Sequence, residues 1–424
     1  MRIVFRDGKK CDEEGNVRTI SQTLKQKQEY LHSIHIDAIL DFFDTAATEL
    51  SRNKEVEKKV GSVLRQTFKF MEKKSTAAML DFALRGDYHI LDKFIDRNQG
   101  KYMYHCQPRG LAVHWLAGNV PLLGMYSIIQ ALLTKNVSLV KAASGAHDEL
   151  TSLLELLAKV NTKEVDGREL LSTIAVILVD RNDGENLTII SEAADIRIAW
   201  GGHEAIETIT RLKKSIFCED IIFGPKYSYA VIDKEALEDY KILTRRLAFD
   251  VCTFDQYACS SPHTVFVQES AKTTVEAFAQ ELAQQIELVT QKMLPKAEEE
   301  SGKKMDILGT RAKYSMLGKV YASKGTEWTV IVTKEPGLAQ ACFSRVIYVK
   351  AIKEIWELKK YNDKQKQTLG CALKNPEREK IIDDITVHGI DRCPEWGDMT
   401  LYESPWDGMF PVDRMVRWIS LRKK

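Results

Sequence analysis

From residue 101 onward, short apolar runs alternate with helical stretches. LAVHW, VSLVKA, TIAVILVD and IRIAW read as strands. SIIQALLTKN, DELTSLLELLAKV, NLTIISEAA and HEAIETI read as the helices that follow them. Strands that are apolar throughout, rather than on alternate positions, belong to a parallel sheet covered on both faces. Residues 101–237 are therefore expected to form a doubly wound nucleotide-binding domain of the α/β class. A second α/β stretch, residues 238–400, carries the strands TVFVQES, WTVIVTK and SRVIYVKAI and the amphipathic helix AKTTVEAFAQELAQQIELVTQKM. KAEEESGKK beyond that helix reads as a solvated, mobile loop. Residues 1–100 form a helical lead-in, where Leu40, Phe42, Phe43, Leu50, Val60, Leu64, Phe68 and Met71 recur at roughly helical spacing. The tail 401–424 exposes Trp406 and Trp418 to two readings: oligomerisation or docking on another surface, or folding back onto its own core.

The chain has 424 residues, enough for two or three sub-domains. Its apolar fraction of 44% and charged fraction of 29% are those of a folded globular protein. A formal net charge of +1 gives no support for nucleic acid as the main partner. No stretch reaches the roughly 18 consecutive apolar residues of a membrane span. The start MRIVFRDGKK lacks the apolar segment of a secretory signal. A cytoplasmic protein with reduced thiols is expected. None of its eight cysteines forms a CxxC pair or a Cys/His cluster at zinc-ligand spacing, so no metal is expected.

Four features could carry chemistry. Cys259, in DQYACSSPHTVFV, stands where a loop enters a strand, a position that combines access with rigid aim. Its thiolate would be a strong nucleophile and its thioester a good acyl carrier; a lone cysteine is more commonly a buried packing residue. Asn119, in LAGNVP, offers an amide to a developing oxyanion, or simply forms a turn. Gly201 and Gly202 open a helix, where backbone can approach a pyrophosphate, or merely link strand to helix. Lys141, at the end of VSLVKA, can reach an adenosine ribose or phosphate, or lie on the surface.

Their order along the chain resembles that of aldehyde dehydrogenases. RGLAVHWLAGNVPLLG, LLTKNVSLVKAAS, IAWGG, DVCTFDQYACSS and DGMFPVDRMVRWIS resemble one branch more closely, the LuxC-type acyl-CoA reductases. The likeness covers most of the chain from about residue 100. It implies an aldehyde dehydrogenase-like fold with a nucleotide-binding domain, a catalytic α/β domain and a small oligomerisation element. It implies Cys259 as the acylated nucleophile, Asn119 as the oxyanion amide, Lys141 as the ribose-holding lysine, and Gly201 and Gly202 as the turn facing the pyrophosphate. The implied reaction is NAD(P)H-dependent reduction of an acyl thioester, acyl-CoA or acyl-protein, to an aldehyde.

Two departures from the wider superfamily sharpen this expectation. Hydrolytic aldehyde dehydrogenases place a glutamate base where this chain has IIFGPKYS, and the aligned position near Ile222 holds no carboxylate. Glu219 and Asp220 lie just upstream and are the alternative base. Relatives that prefer NAD place a glutamate three residues after the lysine, where this chain has Ser144. NADPH is therefore expected, with NADH as the alternative, since a hydroxyl can bond a 2′-phosphate that a carboxylate would repel; a helix cap is the competing role for Ser144. The Glu-x-Phe-Gly-Pro stretch of ordinary aldehyde dehydrogenases is replaced by ACFSRVIYVK. His263 and His114 stand near Cys259 and Asn119, as proton relays or as structural histidines. The rival functions are a hydrolytic aldehyde dehydrogenase and a non-catalytic scaffold. The resemblance also implies an acyl-activating synthetase partner and a homo-oligomer.

Overall fold

A computed structural model describes every residue except 54, 55, 57–63, 98, 99, 117, 119–122, 144 and 146. The chain divides into two compact units. One comprises Met1–Gly224 with Tyr402–Lys424, the other Pro225–Leu401.

The first unit is built on a seven-stranded sheet. Its chain order is β1 (Arg2–Arg6), β2 (Lys9–Glu14), then, after β3 (Ile95–Arg97) and β4 (Tyr102–Pro108) of a separate sheet, β5 (Leu111–Trp115), β6 (Val137–Ala142), β7 (Ile174–Leu178), β8 (Ile196–Trp200) and β9 (Glu219–Phe223). The spatial order is β2-β1-β7-β6-β5-β8-β9. Strands β5 to β9 run parallel, and every residue of β5 and β8 is buried, as their continuous apolar runs require. From β5 the chain moves outward to β6 and β7, then returns to the other side of β5 for β8 and β9. Between β5 and β8 the winding reverses, and at such reversals α/β sheets open a crevice beyond the carboxyl ends of their strands.

The hairpin β1–β2 was not expected from the sequence. β1 adds antiparallel to β7, with Phe5 fully buried. Helices follow from residue 17, the first capped by Asn16, whose side chain accepts from the N–H groups of Arg18 (2.9 Å) and Thr19 (3.2 Å). Leu40, Phe42, Phe43, Leu50, Leu64, Phe68 and Met71 are all buried, as the helical spacing predicts; Val60 lies outside the described residues. The tail returns to this unit. Its strand Val416–Arg422 pairs antiparallel with β4, Trp406, Val412 and Met415 are buried, and Tyr402 stacks on Tyr126 at 4.5 Å.

The second unit has a six-stranded sheet of β10 (Tyr227–Ile232), β11 (Pro262–Gln268), β12 (Gly318–Ala322), β13 (Thr329–Thr333), β14 (Val346–Ile352) and β15 (Lys366–Ala372), ordered β12-β13-β14-β11-β10-β15. All pairs are parallel except the edge strand β12. The helix Val275–Lys292, capped by Thr274, lays Phe278, Leu282, Ile286 and Val289 on the sheet at helical spacing. KAEEESGKK is only partly a loop: a helix begins at Ser301 and runs to Leu317. It buries only Ile307 and Tyr314, too thin a stripe to be legible as amphipathic. Among the described residues no helix is long and apolar enough to cross a membrane.

Trp396 closes this core. It is 1% exposed, and its indole N–H donates to the Gly370 carbonyl at 3.0 Å. Chemical denaturation should find Trp396→Ala less stable by about 3–5 kcal/mol. Trp396→Phe, which loses the hydrogen bond but keeps most of the packing, should cost only about 1–2 kcal/mol. Equal losses would mean that the bond, not the ring, holds this part of the core.

Candidate active site

Cys259 lies in the second unit, in the turn between the helix Tyr240–Cys252 and β11. Just before it Phe254 (φ 55°), Asp255 (49°) and Gln256 (63°) are all left-handed. L-residues visit that region singly, so a run of three persists only where the surroundings dictate it. Here the surroundings include a second such run, Phe343 (57°), Ser344 (57°) and Arg345 (61°). The Ser344 N–H donates to the Asp255 carbonyl at 2.8 Å, and Arg345 Nε donates to Asp255 Oδ1 at 2.5 Å. Arg345 Nη1 also donates to Thr290 Oγ1 (2.9 Å) and to the Leu294 carbonyl (2.8 Å). The rings of Tyr257 and Phe343 lie parallel, 5.6 Å apart. Gln256 Nε2 donates to the Pro262 carbonyl at 2.7 Å. Glu299 accepts from the hydroxyls of Tyr257 and Ser344, with Lys296 3.5 Å away.

This polar knot is largely buried. Burial pushes the Asp255 carboxyl above its usual range, against the opposing pull of Arg345. Burial likewise lowers the Lys296 ammonium, against Glu299 and Asp255. Beyond the knot, the Cys259 carbonyl accepts from Ser228 Oγ at 2.6 Å, and that oxygen accepts from the Thr368 N–H at 3.1 Å. The Ser261 N–H donates to the Ala258 carbonyl at 3.0 Å, closing the turn. Cys259 is thus half-buried on a backbone tied to β10 and β15 on one side and to the two left-handed runs on the other. Such a setting aims a nucleophile at little entropic cost during reaction.

His263 is buried against the rings of Tyr227 and Phe343, and burial lowers it to about 4. His114, in the first unit, sits between Ser127 Oγ (3.0 Å) and Ser138 Oγ (3.1 Å), and burial lowers it to about 3. Both are neutral near pH 7, held as structural histidines, and are poor proton acceptors there.

At the carboxyl ends of the first unit's parallel strands, register aligns Ile177, Lys141, Trp115, Ala199 and Ile222 across β7-β6-β5-β8-β9, so all five side chains share one face. Lys141 is partly buried; burial lowers its ammonium, with Asp180 opposing. Next on β8 come Trp200, stacked on Phe223, and the pair Gly201–Gly202 that starts the helix His203–Arg211. A Cβ on Gly202 would meet nothing within 4 Å, so the backbone there faces open space. Asn119 and Ser144 lie outside the described residues.

Neither upstream carboxylate is available as a base. Asp220 accepts from Arg197 through Nε and Nη2, both at 2.7 Å, and from Lys214 at 2.7 Å. Burial raises Asp220, but these cations outweigh it and hold the carboxyl below its usual range. Glu219 is paired with Arg414 (2.7 Å) and Arg109 (3.6 Å).

The family model described as acyl-CoA reductase (LuxC) matches residues 31–418. The chain belongs to the LuxC family. Among curated relatives it is 30% identical over 339 residues to long-chain acyl-protein thioester reductase 2 of Photobacterium leiognathi, spanning 78% of this chain and 68% of that one. It is 29% identical over 341 residues to long-chain acyl-protein thioester reductase of Aliivibrio fischeri, spanning 79% and 68%. Solved structures with the same fold are aldehyde dehydrogenases. Aldehyde dehydrogenase 21 of Physcomitrella patens aligns with a TM-score of 0.68 at 14% identity over 100% of this chain and 98% of that one. An indole-3-acetaldehyde dehydrogenase aligns with a TM-score of 0.74 at 10% identity over 100% and 93%. The LuxC resemblance and the aldehyde dehydrogenase fold expected from the sequence are thereby established.

Several residues that hold the turn around Cys259 were not singled out from the sequence: Asp255, Gln256, Ser228 and Arg345. Only Arg345 carried a signal, an arginine entering the apolar strand SRVIYV, where a buried charge needs a partner.

Removing Arg345, whose side chain is 2% exposed, would strand the Asp255 carboxylate. Arg345→Met should cost about 3–5 kcal/mol in denaturation, and adding Asp255→Leu should recover part of the loss. Additive losses in the double variant would refute the coupling. Acid sensitivity follows from the histidines. Their folded values, about 3 and about 4, lie below the ordinary imidazole value of 6.5. The native state therefore binds fewer protons, and its stability is intact above pH 6.5 and declines as pH falls through that window. Between pH 7 and 5 the unfolding free energy should drop by roughly 2 kcal/mol for each. His263→Phe should flatten this slope; an unaltered slope would count against the assignment.

Proposed function

We propose that this chain reduces a long-chain acyl thioester to the aldehyde through an acyl-enzyme on Cys259. The observation that carries the reading is a cysteine on a doubly anchored turn in a chain of the LuxC family. The relatives named for long-chain acyl-protein thioesters support an acyl-protein donor, with acyl-CoA as the simpler alternative. A reduced nicotinamide dinucleotide, NADPH in preference to NADH, is the reductant. The first unit suits it: Lys141 makes no hydrogen bond or ion pair among the described residues, and the backbone at Gly202 faces open space. The cofactor domain expected over 101–237 then ends at Gly224, because β10 belongs to the sheet of the second unit, and Pro225–Leu401 is the catalytic unit in place of 238–400.

The Cys259 thiolate attacks the thioester carbonyl. Asn119 and backbone N–H groups stabilise the tetrahedral oxyanion, which collapses with loss of the donor thiolate to leave an acyl-Cys259 thioester. When bound, the nicotinamide supplies the hydride that takes this thioester to the aldehyde level. Collapse of the resulting thiohemiacetal frees the aldehyde and restores the Cys259 thiolate. Water is not activated, because Ile222 is apolar and Glu219 and Asp220 are held in ion pairs, so the thioester awaits reduction rather than hydrolysis. Lys141 and Ser144 would hold the adenosine ribose and its 2′-phosphate, and the backbone of Gly201 and Gly202 would face the pyrophosphate. A cytoplasmic homo-oligomer working with an acyl-activating synthetase completes this reading.

Loss of reduced nicotinamide absorbance should depend on a long-chain acyl thioester and fall to background in Cys259→Ala. Full activity in that variant would sink the mechanism. Oxidation of fatty aldehyde to free acid, at a rate exceeding thioester reduction, would favour the hydrolytic alternative instead.

A further inference from the structure

Trp115 ends β5, at the point where the winding of the first unit's sheet reverses. It is 4% exposed, yet its indole N–H has no acceptor among the described residues. A buried donor left unpaired costs about 1–3 kcal/mol and calls for an explanation; the indole of Trp200 shares this state, and it is the neighbours of Trp115 that set it apart. On one side, in register and on the same face, stands Lys141, whose ammonium makes no hydrogen bond among the described residues. On the other side stands Ala199, which is fully buried and carries no polar side-chain atom. The rest of the row, Ile177 and Ile222, brings no acceptor. Asp180, the carboxylate nearest to Lys141 in its effect, is turned to its own loop, accepting from the Asn182 N–H at 2.8 Å.

Two unpaired donors on adjacent strands, one cationic, suit an oxyanion with several lone pairs better than a hydroxyl. We propose that the Trp115 indole N–H and the Lys141 ammonium together bind the 2′-phosphate of the cofactor, making Trp115 a determinant of NADPH over NADH. The assignment rests on the cofactor reading above and adds to it a residue outside any glycine-rich or lysine motif.

The test is a thermodynamic cycle on the full-length protein. Calorimetric titrations would measure 2′,5′-ADP and 5′-AMP binding to wild type and to Trp115→Phe, which keeps most of the ring and removes the N–H. Trp115→Phe should weaken 2′,5′-ADP by about tenfold or more while leaving 5′-AMP within about twofold. Because both ligands meet the same variant, any general loosening cancels in the ratio. Lys141→Met should lower the same ratio further. An unchanged ratio in Trp115→Phe, with wild type preferring 2′,5′-ADP, overturns the role of Trp115 alone. Wild type that binds 5′-AMP as tightly as 2′,5′-ADP overturns the phosphate assignment. Wild type that binds neither those ligands nor NADPH or NADH overturns the cofactor reading and this inference with it.

Discussion

A parallel sheet must be covered on both faces, because its crossover connections lay helices over each. Both large sheets of this chain obey that constraint, and it decides where chemistry can occur. Faces filled by Val113, Leu139, Val176 and Ile198 in one unit, or by Val265, Val330 and Val349 in the other, have no room for substrate. Only strand ends and the turns that feed them remain. Among the described residues the candidates accordingly stand at ends: Trp115, Lys141 and the Gly201–Gly202 pair where strands finish, Cys259 just before one begins.

A strand end alone does not fix the direction of a side chain in the turn before it. The turn bearing Cys259 departs from ordinary backbone geometry, and the departure is held by charge rather than by apolar packing. Arg345 touches Asp255, Thr290 and the Leu294 carbonyl at once, joining the two left-handed runs. A buried ion pair is seldom a net source of stability, since desolvation offsets most of its Coulomb energy. Its value here is geometric, for a bonded guanidinium tolerates few alternative positions of the loop. The same logic explains why Glu219 and Asp220 are unavailable to catalysis: each carboxylate is already committed to cations that hold strand β9 and its neighbours.

Much of this was legible in the chain itself. Continuous apolar runs predicted the parallel strands β5 to β8, β11, β13 and β14, because strands buried on both faces need apolar residues at every position. The motifs around Asn119, Lys141, Gly201 and Cys259 were sufficient to reveal the family. Some elements left no such mark. The hairpin β1–β2 is short and charged on one strand, and only the sheet it joins stabilises it. The helix Ser301–Leu317 buries two side chains, so its periodicity is nearly invisible.

What the sequence determined by itself was local: which segments are strand or helix, which cysteine follows the family pattern, and the absence of a carboxylate at Ile222. These depend on residues close together in the chain, whose periodicity and order can be read directly. What only the tertiary structure decided was pairing across distance. Asp255 and Arg345 are ninety residues apart in sequence, and Trp115 meets Lys141 only through strand register. No local pattern encodes such meetings, because a buried charge or an unpaired donor acquires its meaning from what the fold brings beside it.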